Sequence, residues 1–148
     1  MKGRALIAGL AGSVVLTTIH EITRRINPNA PRMDLLGMQA LSKSLRGMEV
    51  KPPGEDKLFG YTMAGDVIGN ALYYSLAGVT SKKHVVRNAT LLGLSGGIGA
   101  LSLPKPMGLD TEPSNRTRET QLLTVLLYTV GGLAAGVTMK LLQSRKSQ

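Results

Sequence analysis

One carboxylate lies inside a long apolar stretch of this sequence. Asp66 is the single charged residue between positions 58 and 81. With Thr62, Asn70 and Tyr73 it forms a polar series at spacings of four, four and three residues. A helix would place these four polar side chains on one face. A carboxylate in an apolar environment is costly unless it is protonated, paired or bound to a cation. Two hypotheses follow: Asp66 relays protons or cations, or Asp66 and Asn70 clamp a neighbouring helix by bonding its Ser, Thr or His side chains.

His20 and Glu21 form a second set of polar candidates, at the end of the first apolar stretch. Their segment, HEITRR, lacks the second histidine of the H-E-x-x-H zinc-protease motif. We therefore expect Glu21 to pair with Arg24 or Arg25, and His20 to reach Asp66 across a helix contact. No metal, cofactor or catalytic set is predicted. The chain has no Cys, which excludes disulfides and cysteine-based metal or redox sites.

The charged residues are segregated along the chain. Its 148 residues include 18 Lys and Arg against 9 Asp and Glu, which gives a formal net charge of +9. The four windows 5–19, 58–81, 88–104 and 120–139 nevertheless contain a single charged residue, Asp66. Because about 20 apolar residues cross the hydrocarbon core of a bilayer, this pattern predicts a membrane protein.

The predicted fold is all-α, an integral membrane four-helix bundle that forms a single domain over residues 1–148. The predicted spans are about 4–26, 58–81, 85–103 and 120–142. The first span is interpreted as an uncleaved helix rather than a signal peptide, since no A-x-A-like cleavage site follows it. In the polar segment before the last span, Ser114 or Thr117 is a candidate helix cap, with Glu119 in the first turn.

A further helix is predicted at about 31–48, between the first two spans, because apolar residues recur there at helical spacing. These residues are Leu35, Met38, Leu41, Leu45 and Met48. The segment is too polar to span a bilayer, so it is predicted to be an interfacial amphipathic helix in the headgroup plane. The alternative is a helix that caps one end of the bundle through protein contacts.

Small residues recur four positions apart in every span. The pairs are Ala5 and Gly9, Ala8 and Gly12, Gly65 and Gly69, Gly93 and Gly97, and Gly132 and Gly136. Such pairs allow two helix backbones to approach closely in a membrane. They predict a compact bundle, with contacts either within one chain or between copies of it.

Basic residues without acidic ones lie at the N-terminus, in the turn at 82–87 and at the C-terminus. The positive-inside rule therefore places both termini and this turn in the cytoplasm of a bacterial inner membrane. We expect the basic residues to meet anionic lipid headgroups. The chain has four Tyr, one Phe and no Trp, and this scarcity of stacking groups argues against a nucleic-acid partner.

Three segments resemble a small family of uncharacterised bacterial inner-membrane proteins. They are HEITRRINPNAPRMDLLG, GDVIGNALYYSLAG and LPKPMGLDTEPSNRTRET. The resemblance implies a four-helix membrane protein, and it implies no activity, ligand or catalytic residue.

The expected function is non-enzymatic. The small-residue pairs favour a membrane protein that acts through helix packing, as a homo-oligomer or as a small accessory subunit beside another membrane protein. The alternative is a small oligomeric transporter or channel that uses Asp66 as its coupling carboxylate.

Overall fold

The computed structural model describes residues 2–79 and 82–144, and this part of the chain contains six α-helices and no strand. The helices are α1 (Lys2–Ile26), α2 (Met33–Gly47), α3 (Glu55–Ser75), α4 (Val85–Ser102), α5 (Glu112–Asn115) and α6 (Arg118–Ser144). The all-α prediction is confirmed. The short α5 was not predicted, and the basic tail at 145–148 lies outside the described residues.

Helix α3 differs most from its predicted bounds. Helix α3 begins at Glu55, three residues early, with Glu55 and Asp56 in the first turn where acidic side chains favour the helix dipole. It ends at Ser75 and continues as a 3₁₀ turn to Val79, and the predicted end at 80–81 lies outside the described residues.

The start of α6 follows the predicted cap. Thr117 precedes the helix, and its hydroxyl accepts a 3.0 Å hydrogen bond from the Thr120 backbone N–H. Glu119 lies in the first turn. Of the two candidate caps, Thr117 is therefore the one that caps α6, while Ser114 belongs to α5.

The long helices pack in the order α3, α1, α6 and α4. Helix α3 lies along α1, α1 along α6 and α6 along α4, whereas α3 and α4 meet at only a few points. The bundle is therefore open on the side between α3 and α4.

Glycines set the closest helix contacts. A Cβ built on Gly132 would lie 2.9 Å from the Gly93 Cα, and one on Gly97 would lie 2.6 Å from the Val125 Cα. The predicted close approach of small residues thus occurs within one chain. Gly65 and Gly69 on α3 are the exception, because nothing lies within 4 Å of a Cβ at either position.

Large apolar side chains point outward on all four long helices. Exposed examples are Leu6, Ile7 and Leu10 on α1, Ile68 and Leu72 on α3, Leu91, Leu94 and Ile98 on α4, and Leu122, Leu126 and Leu141 on α6. Many buried positions are instead small or polar, such as Ala8, Ser13, Ala89, Thr124 and Ala135. The inside of this bundle therefore contains many small and hydroxyl-bearing side chains, while many large aliphatic side chains face outward.

Two helices, Gly3–Ile26 and Arg118–Ser144, are long and apolar enough to cross a membrane. The prediction of four spans is therefore not confirmed. Helix α3 includes the polar residues Asp66 and Asn70. Helix α4 has only 18 residues, and Arg87 lies in its first turn. These polar groups lower the average hydropathy of both helices.

One end of the bundle is covered by a polar cap, formed by residues 27–32, α2 and residues 103–117. Backbone groups join its parts: the Arg32 N–H donates to the Pro113 carbonyl at 2.8 Å, and the Asp110 N–H donates to the Gln39 side chain at 3.0 Å. Helix α2 packs against α3 with Leu36 buried, whereas Leu35 and Met48 of its apolar stripe stay exposed.

Candidate functional site

Asp66 lies midway along α3, where three cavities meet. The polar cavity, of about 230 Å³, is lined by His20, Asp34, Thr62 and Asp66 together with residues of α2. The inner cavity, of about 10 Å³, lies between α1, α3 and α6 and contacts Thr17. It is close to the smallest space that holds one water, about 10–15 Å³. The third cavity is the α3–α4 groove, of about 430 Å³.

The Asp66 carboxylate is bonded within its own helix. The Asn70 side-chain amide donates to Asp66 Oδ1 at 2.9 Å. The Thr17 hydroxyl of α1 lies near the carboxylate, although it makes no hydrogen bond of standard geometry with any described residue. The clamp to a neighbouring helix stays a hypothesis: the hydrogen bond seen is the one within α3, and Thr17 and His20 are the α1 side chains that face Asp66.

His20 is buried and lies beside Asp66 across the contact between α1 and α3, while its hydrogen bond goes to the segment before α2. The His20 Nε2 atom lies 2.7 Å from the Pro31 carbonyl oxygen. A carbonyl only accepts hydrogen bonds, so Nε2 carries a proton. The other ring nitrogen, Nδ1, has no hydrogen-bond partner among the described residues. In the neutral ring this nitrogen is an acceptor.

Two threonine hydroxyls next to these cavities also lack partners. Thr62 Oγ1 and Thr17 Oγ1 are buried without a hydrogen bond from any described residue. Thr62 is 7% exposed and lines the polar cavity, while Thr17 lines the inner one. Buried polar atoms are seldom left unpaired in native proteins, so these hydroxyls mark places for water or a ligand.

The charged side chains around the polar cavity form ion pairs, with the exception of Asp66. Arg24 contacts Glu21 at 2.6 Å, as predicted, and Asp34 at 4.0 Å, and Arg32 contacts Asp34 at 2.7 Å. Burial acts to raise the pKa of Asp34, but the hydrogen bond and charge of Arg32 and the charge of Arg24 outweigh it and lower that pKa. Two guanidinium groups thus balance two carboxylates, whereas Asp66 forms no ion pair with any described residue and has the His20 ring beside it.

The polar residues that were predicted to share one face of α3 line two different cavities. Thr62 lines the polar cavity, whereas Asn70 and Tyr73 line the α3–α4 groove. The Tyr73 hydroxyl donates to the Leu92 carbonyl of α4 at 2.9 Å, so Tyr73 is the member that bonds a neighbouring helix.

The sequence prediction overlooked a matching polar stripe on α1. Ser13, Thr17 and His20 follow at spacings of four and three, and so share one helix face. The Ser13 hydroxyl donates to the Val67 carbonyl of α3 at 2.8 Å. This periodicity could have shown which face of α1 meets Asp66.

The described residues contain no group of three or more His, Cys, Asp or Glu side chains that could hold a metal ion. No protein-family model, curated protein or solved structure matches the chain. Any functional assignment therefore depends on the geometry around Asp66.

Proposed function

We propose that this is an integral membrane protein in which α1, α3, α4 and α6 all cross the bilayer. The support is the outward face of large apolar side chains on each of these helices. In a soluble monomer, an apolar surface of this extent would promote aggregation. The polar residues and glycines that reduce the hydropathy of α3 and α4, such as Asp66, Gly93 and Gly97, line cavities or helix contacts.

The proposed location is a bacterial inner membrane, with both termini and the 82–87 turn in the cytoplasm and basic residues near anionic headgroups. The support is the distribution of Lys and Arg along the sequence. In this orientation the polar cap lies at the opposite, outer surface.

The proposed activity is that of a small transporter or channel in which Asp66 takes up a proton or another monovalent cation. The observation that carries this proposal is the position of Asp66: its carboxylate forms no ion pair with any described residue and lies where three cavities meet. Uptake of a cation neutralises the carboxylate and lowers the cost of holding it in a low-dielectric interior. A coupling residue requires such an energetic difference between its loaded and empty states.

The replacement Asp66→Asn tests this activity. An amide keeps the size and much of the hydrogen bonding but cannot take up a proton. Side-chain hydrogen bonds within membrane proteins contribute about 0.6 kcal/mol on average, so we expect a folded variant. In vesicles containing the purified protein, we expect proton or monovalent-cation flux to fall at least about 10-fold, equivalent to about 1.4 kcal/mol.

Asp56→Asn is the matched control, because Asp56 is an exposed carboxylate at the start of the same helix. It should retain the flux of the unmodified protein. Equal flux through the unmodified protein, Asp56→Asn and Asp66→Asn would contradict the proposed role of Asp66.

A second candidate function is assembly through α3, as a homo-oligomer or as a subunit of a membrane complex. The observation that favours it is the open surface at Gly65 and Gly69, beside the exposed Ile68 and Leu72. The same spacing of small residues brings helices together elsewhere in this chain, and here none of the described helices covers it.

The replacement Gly69→Leu tests this assembly, because a large side chain would prevent another helix from approaching. We expect a lower molecular mass in detergent, measured by light scattering after size-exclusion chromatography. Gly60→Leu is the control: Gly60 is also open, but it lies nine residues earlier, and so on the opposite face of α3. If both variants keep the mass of the unmodified protein, this face contacts lipid and the second candidate is wrong.

A further inference from the structure

The unpartnered polar atoms around Asp66 have one property in common: each can accept a hydrogen bond. They are a carboxylate oxygen of Asp66, Nδ1 of His20 and the hydroxyls of Thr62 and Thr17. The carboxylate and Nδ1 of the neutral ring can only accept. A ligand that satisfies them must therefore donate hydrogen bonds, and the Asp66 carboxylate, which has no ion pair among the described residues, favours a cationic one. A primary ammonium group meets both conditions, with three N–H donors and one positive charge.

The α3–α4 groove adds an apolar compartment to this acceptor cluster. Its volume of about 430 Å³ falls within the range of small-molecule sites, about 300–1,000 Å³. It shares Asp66, Met33 and Gly37 with the polar cavity, so the two spaces adjoin. Leu36, Ala40 and Leu103 contribute apolar surface to it.

The groove runs in the direction that a lipid molecule would take in the proposed membrane. One end lies at the polar cap, near Pro104 and Leu109, and the other lies deeper, near Tyr73 and Tyr128. Because α3 and α4 meet at only a few points, the groove is open between them. An amphiphile can therefore reach Asp66 sideways from the acyl chains, without passing through the cap.

We infer that the site binds an amphipathic primary amine, with its ammonium group at Asp66 and its aliphatic chain in the α3–α4 groove. This inference rests on the proposed uptake of a cation at Asp66 and specifies the class of substrate. Recognition depends on N–H donors rather than on stacked aromatic rings. A quaternary ammonium, which is usually held by an aromatic cage, should therefore bind less well.

Binding to the purified full-length chain in a non-ionic detergent tests the inference. The probes are dodecylamine, dodecyltrimethylammonium and methylamine. Dodecyltrimethylammonium keeps the charge and the chain but lacks N–H donors, and methylamine keeps the ammonium group but lacks the chain. We expect dodecylamine to bind at least 10-fold more tightly than either of the others. Asp66→Asn should abolish this preference.

A groove variant tests the position of the chain. A Cβ at Gly99 would contact only Leu103, at 3.6 Å, so Gly99→Leu extends into the groove without meeting backbone. It should weaken dodecylamine binding at least 10-fold and leave methylamine binding unchanged. Gly60→Leu, which adds the same side chain at an open position outside the groove, should bind dodecylamine as the unmodified protein does.

The source of the amine is distinguished by adding phosphatidylethanolamine or phosphatidylcholine to the detergent. If phosphatidylethanolamine competes with dodecylamine and phosphatidylcholine does not, the ligand is a membrane aminolipid. If neither lipid competes, the ligand is a free amine. Both results support the inference.

Two results would overturn the inference. Equal binding of dodecylamine and dodecyltrimethylammonium, unchanged by Asp66→Asn, would show partition into the detergent only. Methylamine binding as tight as that of dodecylamine, with no effect of Gly99→Leu, would show a cation site without a chain groove. The proposed activity would survive either result if Asp66→Asn still abolishes flux, and it would fail separately if flux persists in that variant.

Discussion

Replacing Gly132 with leucine should abolish the packing of α4 against α6. A Cβ at Gly132 would lie 2.9 Å from both the N and the Cα atoms of Gly93, and closer still to the Ala89 carbonyl oxygen. These are backbone atoms, so the clash is relieved only if the two helices separate. Overpacking of side chains alone costs about 1–3 kcal/mol, and we expect a larger loss here. The measurement is thermal unfolding of the purified protein in detergent.

Gly60→Leu serves as the control for this experiment. It adds the same side chain to α3, at a position where no described residue lies within 4 Å of the new Cβ. Its unfolding midpoint should stay close to that of the unmodified protein. If Gly132→Leu unfolds at the same temperature as Gly60→Leu, the arrangement of α4 and α6 described above is incorrect.

Replacing Tyr74 with alanine should cause the second large loss of stability. Tyr74 is 1% exposed, and its ring lies against Gly12 and Gly131, whose small size leaves room for it. Its hydroxyl donates to the Tyr128 carbonyl at 2.8 Å. Removing a large buried ring typically costs about 3–5 kcal/mol, because the cavity collapses only in part.

Tyr74→Phe separates the ring from the hydroxyl. It keeps the packing and loses one hydrogen bond, worth about 0.6 kcal/mol in a membrane protein. Denaturant titration of the three proteins should therefore place Tyr74→Phe close to the unmodified chain and Tyr74→Ala far below it. Equal losses in the two variants would mean that the hydrogen bond, not the ring, stabilises the bundle.

The helices were largely predictable from the sequence because each depends on local patterns. The predicted spans match both ends of α1, α4 and α6 to within two residues. The apolar spacing from Leu35 to Met48 predicted α2. The small-residue pairs predicted close helix contacts, but not which pairs would be used. Gly65 and Gly69 have the same spacing as Gly93 and Gly97, yet only the second pair meets another helix.

The site was predictable only in part, because its walls come from distant segments. The spacing of Thr62, Asp66 and Asn70 predicted a polar face on α3. The polar cavity also requires α2 to fold back over α3, and the polar cap holds it there through contacts such as Arg32 with Pro113. Such backbone hydrogen bonds leave no mark in the residue pattern.

The position of α6 also constrains how the protein is made. It follows the other long helices in the sequence, yet in space it lies between α1 and α4. During synthesis α1 and α3 can pair early, whereas α4 finds its main neighbour only when α6 leaves the ribosome. The glycine face of α4 must therefore remain without its α6 partner throughout translation of the polar segment 103–117. Assembly of this bundle is completed by inserting a helix between two that are already made, rather than by adding one at the edge.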